Sequence, residues 1–286
     1  ERPSGSRPAL APRHPNPGTS AVPSHPLARG ALLLLLLLLL APAGRPEGPA
    51  AESRWTVDFG REVGLLRPLH GVNGGPLCYR GVVDLTAAHR ELRIPLTRLH
   101  DIVWVNAHAV DIHTVFPDFR DDPADAASYD FRATDDVVAA VRATGAGIVY
   151  RLGESIEHTT RKYRVHPPSD PDRWAEICVG IIRHYNEGWA DGFHHGIAYW
   201  EIWNEPDIGP AMWTGTEAQF LDLYERTARR LKARFPHLKI GGPGVGGTGE
   251  FRNGQFEPAP FVARFLTHCR DRQLPLDFFS WHRYTA

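Results

Sequence analysis

The sequence is poor in the residues that mark disulfide frameworks and metal sites. Its 286 residues include three cysteines, Cys78, Cys178 and Cys269, which lie far apart and form no C-x-x-C pair. This odd, scattered set gives no disulfide framework and leaves at least one free thiol. No H-E-x-x-H pattern occurs among the fifteen histidines, so we expect no metal site and no other cofactor.

An excess of positive charge is also missing. The formal net charge is -1, which favours neither nucleic acid nor an anionic membrane surface as a partner. The hydrophobic fraction of 42% is ordinary for a globular chain, and the length allows one large domain or two small ones.

Residues 1–54 are expected to lie outside the fold. Residues 1–30 are rich in Pro, Ser, Gly, Ala and Arg without a hydrophobic period, which is typical of disorder. The leucine-rich run 31–41 follows Arg29 and precedes small residues, so it predicts a signal peptide and a secreted or periplasmic protein. The run is shorter than the roughly 20 residues that span a bilayer, so we expect no stable membrane span. Because Met212 is the only methionine, we also expect the true start to be misplaced.

From residue 55 onward, apolar strands alternate with amphipathic helices, which predicts a parallel α/β sheet. The predicted strands cover residues 66–72, 94–99, 147–152, 197–203, 238–242 and 276–281. Six such units point to a (β/α)8 TIM barrel over residues 55–286, with about six of its eight units present and the C-terminus truncated. An open doubly wound sheet is the alternative, weakened because no G-x-G-x-x-G follows any strand.

The stretch 199–207 carries the strongest functional signal. Its strand ends before Pro206, which leaves Glu205 at the strand's C-terminal tip, where barrel enzymes place their chemistry. A carboxyl group among Trp200, Trp203 and Trp213 would be poorly solvated, which suits a general acid. The alternative is that Glu205 is a solvated turn residue.

Polar residues also lie at the ends of other predicted strands. Together with the stretch 199–207, these segments resemble sequences of family 39 of the glycoside hydrolases. That family holds β-xylosidases and α-L-iduronidases within a large clan of retaining barrel glycosidases. The likeness runs from about residue 66 to residue 286. The motifs that carry it are WEIWNEPD (200–207), LKIGGP (238–243), LDFFSWHRYT (276–285), RLH (98–100) and YDF (129–131).

The resemblance implies a role for each matching residue. Glu205 would be the acid/base, and Asn204 would bind the sugar 2-hydroxyl. The remaining residues that the resemblance places around the sugar are His282, Tyr284, Arg98 and His100. The nucleophile would be a second Glu at the end of strand seven, beyond this chain, so the fragment itself is expected to be inactive. None of the acidic residues of this chain matches that position, including Glu154, Glu201, Glu250 and Glu257.

Several of these residues also have structural alternatives. Glu201 is expected to point into the barrel and pair with a basic residue. Arg98 is equally suited to be a member of a buried ion pair or a sugar ligand. His100 and His282 are each open to a packing role. Trp213 is a candidate platform for sugar stacking, although core packing is the commoner fate of a tryptophan.

The resulting hypothesis is a secreted retaining exo-glycosidase, β-xylosidase-like, whose partner is a carbohydrate substrate. The alternatives are an α-L-iduronidase-like enzyme, an endo-glycanase of the same clan and a non-catalytic carbohydrate-binding barrel. Iduronidases hold the uronate carboxylate with a basic residue, and the family position that can supply it is Tyr284 here. This departure favours a neutral sugar.

Overall fold

The computed structural model describes residues 56–65, 67–102 and 106–284. The chain divides into two compact units, 1–64 and 65–286, and the fold described below is that of the second. The predicted disordered N-terminus and signal peptide, residues 1–54, lie outside the described residues.

A six-stranded parallel sheet forms the centre of residues 65–286. Its strands are β1 (Val72–Asn73), β4 (Leu96–Leu99), β5 (Gly147–Leu152), β6 (Tyr199–Ile202), β7 (Lys239–Val245) and β10 (Phe278–Trp281), in the spatial order β1-β4-β5-β6-β7-β10. Spatial order therefore follows chain order throughout, as in a (β/α)8 barrel. A doubly wound sheet would reverse direction at a switch point. The barrel prediction is confirmed, with six of its eight strands in the described residues.

The strand predictions were accurate where the apolar run is buried, and 147–152 matches β5 residue for residue. The first strand was predicted wrongly. Residues 67–71 are exposed coil, and β1 comprises only Val72–Asn73. Apolar residues in that segment suggested a strand, but they face solvent instead of the core.

Helices follow the strands and cover one face of the sheet. They are α1 (Thr86–Glu91), α2 (Ile112–Val115), α3 (Arg132–Ala143), α4 (Pro171–Glu187), α5 (Glu217–Arg234) and α6 (Pro260–Asp271). Short 3-10 helices span Tyr79–Gly81 and Ala126–Ser128. In the described part of the chain no helix is long and apolar enough to cross a membrane.

The helix boundaries have local causes. The Asp170 carboxylate caps α4 by accepting from two backbone N–H groups, and Gly188 ends that helix in a left-handed conformation. Thr216 and Gln219 form a capping box at the start of α5, with the T-x-x-Q spacing typical of that motif.

Two small hairpins lie outside the main sheet. The pair β2 (Leu77–Cys78) and β3 (Val83–Asp84) is one, and β8 (Gly249–Arg252) and β9 (Gln255–Pro258) is the other. The second hairpin turns at Asn253-Gly254, where both residues have positive φ. Asn-Gly is a strong hairpin signal, and the strand assignment from apolar runs overlooked it.

Strand alternation separates the apolar core from the polar interior of the barrel. On one face, Tyr150 of β5 stacks on Trp200 of β6 and packs against Tyr185 of α4. The next residues along these strands, Arg151 and Glu201, point the other way. They lie opposite each other in the register of β5 and β6. The fold thus directs charged side chains into the barrel, beneath the carboxyl ends of the strands.

The capping box of α5 provides a test of the local helix signal. Thr216→Ala removes the side-chain oxygen that accepts from the Gln219 N–H, so we expect a loss of about 1 kcal/mol in the free energy of unfolding. Urea titration of the wild type and the variant measures it. Thr216→Ser keeps the acceptor and is expected to restore most of the loss; an equal loss for both substitutions would contradict the capping role.

Candidate active site

A buried ion pair lies across the interior of the barrel. Arg98 of β4 donates from Nε to Glu201 Oε2 of β6 at 2.7 Å, and Ser280 Oγ of β10 donates to Glu201 Oε1 at 2.6 Å. Arg98 Nη2 also donates to Asn204 Oδ1 at 2.7 Å. Glu201 is fully buried, and these contacts satisfy both of its oxygens. The predicted pairing of Glu201 with a basic residue is confirmed, and its partner is Arg98.

Gly244 makes room for this ion pair. Its φ is +58°, and a Cβ there would lie 3.0 Å from Arg98 Nη2 and 3.2 Å from Asn204 Oδ1. Both the backbone conformation and the close approach of the two side chains therefore favour glycine.

Glu205 sits just beyond β6 in an unusual backbone conformation. Trp203 and Glu205 have φ values of +70° and +46°, which residues with a Cβ adopt at some cost. The Glu205 N–H donates to the carbonyls of Pro243 and Gly244 at 3.0 and 3.1 Å, which ties this turn to β7. The chain thus turns sharply at the carboxyl end of β6 and fixes where the Glu205 side chain points.

The Glu205 carboxyl group faces His282. Its Oε1 lies 2.5 Å from His282 Nδ1, and Asn204 Nδ2 donates to its Oε2 at 3.4 Å. Glu205 is only 8% exposed, so it is not the solvated turn residue of the alternative interpretation. Nearby, burial and the charge of Glu205 raise the pKa of Asp207, whose carboxylate accepts from the Gly246 N–H.

A second buried network lies at the ends of β4 and β5. Arg151 Nη2 donates to Asp111 Oδ1 at 2.6 Å, and Arg151 Nε donates to His100 Nδ1 at 3.1 Å. Burial, together with the charges of Arg151 and Arg98, holds the pKa of His100 far below its usual range. Although burial opposes it, the Arg151 charge lowers the pKa of Asp111. The histidine is therefore neutral and the aspartate ionised.

Glu154, which follows β5, pairs with His113. His113 Nδ1 lies 2.5 Å from Glu154 Oε1, and Glu154 is almost fully buried. Burial raises the pKa of Glu154. Burial also opposes protonation of His113, but the hydrogen bond and charge of Glu154 outweigh it and raise the pKa of His113. Both groups therefore hold protons more tightly in the folded chain.

The structure brings together five of the seven residues that the sequence nominated. These are Glu205, Asn204, His282, Arg98 and His100. Trp213 is only 3% exposed: it packs edge-to-face against Trp203 and Phe220, and its Nε1 donates to the Thr216 carbonyl. Tyr284, in contrast, is 80% exposed, with its ring centroid 6.2 Å from that of His282. The burial of Trp213 leaves no open ring face, so this geometry gives no support to sugar stacking there.

Ser280, Arg151 and Asp111 are polar residues of these networks that were not nominated from the sequence. Ser280 and Arg151 carry a usable signal, because each is a polar residue on the inward parity of an otherwise apolar strand. Asp111 lies in a loop and offers no such pattern. Among the described residues, no cluster of three or more His, Cys, Asp or Glu side chains is arranged to hold a metal ion.

The His113–Glu154 contact makes the stability of the folded chain depend on pH. Its contribution is full below the unfolded histidine pKa of about 6.5 and is lost as the pH rises through the raised folded pKa of His113. Because His113 is 34% exposed, we expect His113→Gln to cost only about 1 kcal/mol at about pH 6, and less at about pH 8.

Urea titrations across that pH range measure the difference in unfolding free energy. His237→Gln, at an exposed histidine, is the matched control and is expected to change little. A loss for His113→Gln that stays constant with pH would contradict the proton linkage.

Comparison with known proteins places these residues in a family. The sequence profile of "Glycosyl hydrolases family 39" matches residues 78–286. A β-xylosidase from Geobacillus stearothermophilus is 34% identical over 128 residues, which cover 44% of this chain and 23% of that protein. A β-xylosidase from Caldicellulosiruptor saccharolyticus is 24% identical over 125 residues, covering 43% and 23%.

Solved structures share the fold of this chain. A glucosidase from Croceicoccus marinus superposes with a TM-score of 0.65 at 33% identity, covering 77% of this chain and 44% of that one. A monomeric β-xylosidase from Caulobacter crescentus shares the fold, with a TM-score of 0.53 at 20% identity and coverage of 79% and 44%. The chain thus spans less than a quarter of the curated relatives and less than half of these solved ones. Because the family profile matches most of its length, the chain belongs to family 39 of the glycosyl hydrolases.

Proposed function

We propose that this chain carries the acid/base part of the active site of a retaining exo-glycosidase. The observation that supports this most directly is the placement of Glu205. Its carboxyl group is buried at the carboxyl end of the sheet, beside His282 and Asn204, and its backbone is tied to β7. A carboxyl group shielded from water and held in one orientation suits proton transfer to a leaving group.

In the proposed reaction, Glu205 acts twice. In the first step its proton passes to the glycosidic oxygen as the bond from that oxygen to the anomeric carbon breaks, and a second carboxylate bonds to that carbon. In the second step the ionised Glu205 takes a proton from water, which attacks the anomeric carbon and releases the second carboxylate. The starting protonation states of both carboxyl groups are thereby restored.

A second carboxylate about 5–5.5 Å from the first is needed for this mechanism. Glu201 does not suit the role, because it is fully buried and its two oxygens are engaged by Arg98 and Ser280. Asp207 is also engaged, through the Gly246 N–H. On the family resemblance we place the nucleophile on a seventh barrel strand, outside the present sequence.

A neutral pyranose is the proposed substrate, in the manner of a β-xylosidase. The relatives at 33–34% identity are named a β-xylosidase and a glucosidase, so xylosides and glucosides are both candidates. Tyr284 stands where a basic residue would hold a uronate in an iduronidase-like enzyme. Endo-glycanase activity and a non-catalytic carbohydrate-binding barrel remain the alternatives. Secretion or periplasmic export, from the apolar run 31–41, belongs to the same proposal.

Replacement of Glu205 tests the mechanism in the full-length enzyme that contains this sequence. We expect Glu205→Gln to slow hydrolysis of 4-nitrophenyl β-xyloside or β-glucoside by about a hundredfold or more, because a proton donor is lost. The first step with a 2,4-dinitrophenyl glycoside is expected to slow much less, since that leaving group needs no proton. Azide is expected to restore turnover and give the β-glycosyl azide, because an anion needs no general base.

The matched control is Glu250→Gln in the β8–β9 hairpin, where the carboxylate is 70% exposed. It is expected to leave the rates unchanged. Loss of activity in Glu205→Gln without azide rescue or leaving-group dependence would assign Glu205 a structural role. Sugar binding without turnover by the wild type on neutral and uronic aryl glycosides would favour the non-catalytic barrel.

A further inference from the structure

At the carboxyl end of the sheet, His282 contacts an acidic side chain and His100 contacts a basic one. His282 Nδ1 faces a carboxyl oxygen of Glu205, whereas His100 Nδ1 faces the Nε of Arg151 at 3.1 Å. A guanidinium group has only N–H donors and does not deprotonate in proteins. The Nδ1 of His100 must therefore be an acceptor, and the proton of the neutral ring lies on Nε2.

Arg151 has little freedom to change this contact. Its Nη2 is bound to Asp111 Oδ1, and both side chains are fully buried. The same Asp111 oxygen also accepts from the backbone N–H of Ser155 at 2.9 Å and from its hydroxyl at 2.8 Å. The other oxygen of Asp111 lies 2.8 Å from His108 Nδ1. Asp111, which immediately precedes α2, thus anchors the guanidinium group of Arg151.

The opposite edge of the His100 ring lies beside Asp101. Its Nε2 is 3.4 Å from Asp101 Oδ2, which is compatible with a proton on Nε2 but longer than an ordinary N–H···O hydrogen bond. The ring is 7% exposed, and because Arg151 occupies Nδ1, the polar atom left for a ligand is Nε2. The backbone is fixed as well, since Asn73 Nδ2 donates to the His100 carbonyl at 2.8 Å.

The charged and titratable groups around His100 come from each neighbouring segment. They are Asp101 beside it, Arg98 on β4, Arg151 on β5 with Asp111 behind it, and His282 after β10. The cations disfavour a second proton on the ring, as does burial. His282 also contacts Glu205, which places His100 at the same mouth as the proposed acid/base.

We propose that Arg151 and Asp111 are positioning residues that hold His100 as a permanently neutral Nε2–H donor to a hydroxyl group of the bound sugar. The sugar contact rests on the proposed function, whereas the tautomer does not. A donor that does not titrate makes the same hydrogen bond to a hydroxyl oxygen throughout the pH range in which the enzyme acts. An ordinary histidine would change charge in that range.

Nitrogen NMR of the wild-type chain tests the tautomer, and a variant is needed only to assign the His100 signals. The His100 signals, assigned by their loss in His100→Gln, are expected to show a lone-pair Nδ1 and a protonated Nε2. They are also expected to stay constant between about pH 5 and pH 8, where a free histidine titrates. Titration in this range, or a protonated Nδ1, would overturn the proposal.

The role of Arg151 is tested by the double variant Arg151→Met/Asp111→Asn, which avoids leaving a buried unpaired carboxylate. If the guanidinium group fixes the tautomer, His100 in this variant populates both neutral forms, although burial and the charge of Arg98 still disfavour a second proton. Unchanged His100 signals in a folded double variant would remove Arg151 and Asp111 from the mechanism.

Two substitutions of His100 test the sugar contact in the full-length enzyme. The amide nitrogen of glutamine can reach the Nε2 position, whereas that of asparagine reaches only the Nδ1 position. We expect His100→Gln to keep kcat/KM within a few-fold and His100→Asn to lower it about tenfold, the usual effect of one lost hydrogen bond. Equal losses would reject the Nε2 donor. If no aryl glycoside is turned over at all, the proposed function fails, and the NMR result still decides the tautomer.

Discussion

The buried carboxylate of Glu201 is the constraint on which the arrangement of this site depends. A fully buried charge is tolerated only when a counter-charge and hydrogen bonds replace its lost hydration. Arg98 on β4 and Ser280 on β10 supply them, so strands at different places in the sheet converge on one residue of β6. Arg98 also binds Asn204, and the same ion pair therefore orients a residue next to Glu205. The stability of the barrel interior and the geometry of its mouth share these contacts.

Backbone strain at this site is concentrated in the turn that positions Glu205. The positive φ values of Trp203 and Glu205 carry a cost of about 1–3 kcal/mol each. Hydrogen bonds from the Glu205 N–H to two carbonyls of β7 hold the turn in place, and the left-handed Gly244 lets Arg98 and Asn204 approach. Glu201 lies within β6, whereas Glu205 lies just after its end. The turn at Trp203 and Glu205, and not the strand itself, therefore sets the direction of the Glu205 side chain.

The parts of the fold that the sequence predicts well are those with local causes. Apolar strands such as β5, the Asp170 and Thr216 caps and the Gly188 terminus each depend on residues within a few positions. The ion pairs do not: Arg98 and Glu201 are 103 residues apart, and Arg151 and His100 are 51 apart. Spacing carries no information about such pairs until the barrel supplies the register. Trp213 illustrates the same limit, because its sequence position beside Glu205 does not reveal that Phe220 and Trp203 enclose it.

The two histidines at the mouth illustrate how the neighbour, and not the residue type, sets the behaviour of a side chain. A carboxyl group can either accept or donate a proton, so the contact between His282 Nδ1 and Glu205 can persist in both protonation states of the proposed acid/base. A guanidinium group has no such second state, so the contact of His100 with Arg151 allows only one form of the ring. The site therefore combines one imidazole whose contact can adapt to the protonation state of Glu205 with one whose contact is fixed. If the two proposals hold, proton transfer at Glu205 leaves the proposed hydrogen bond from His100 to the sugar in place.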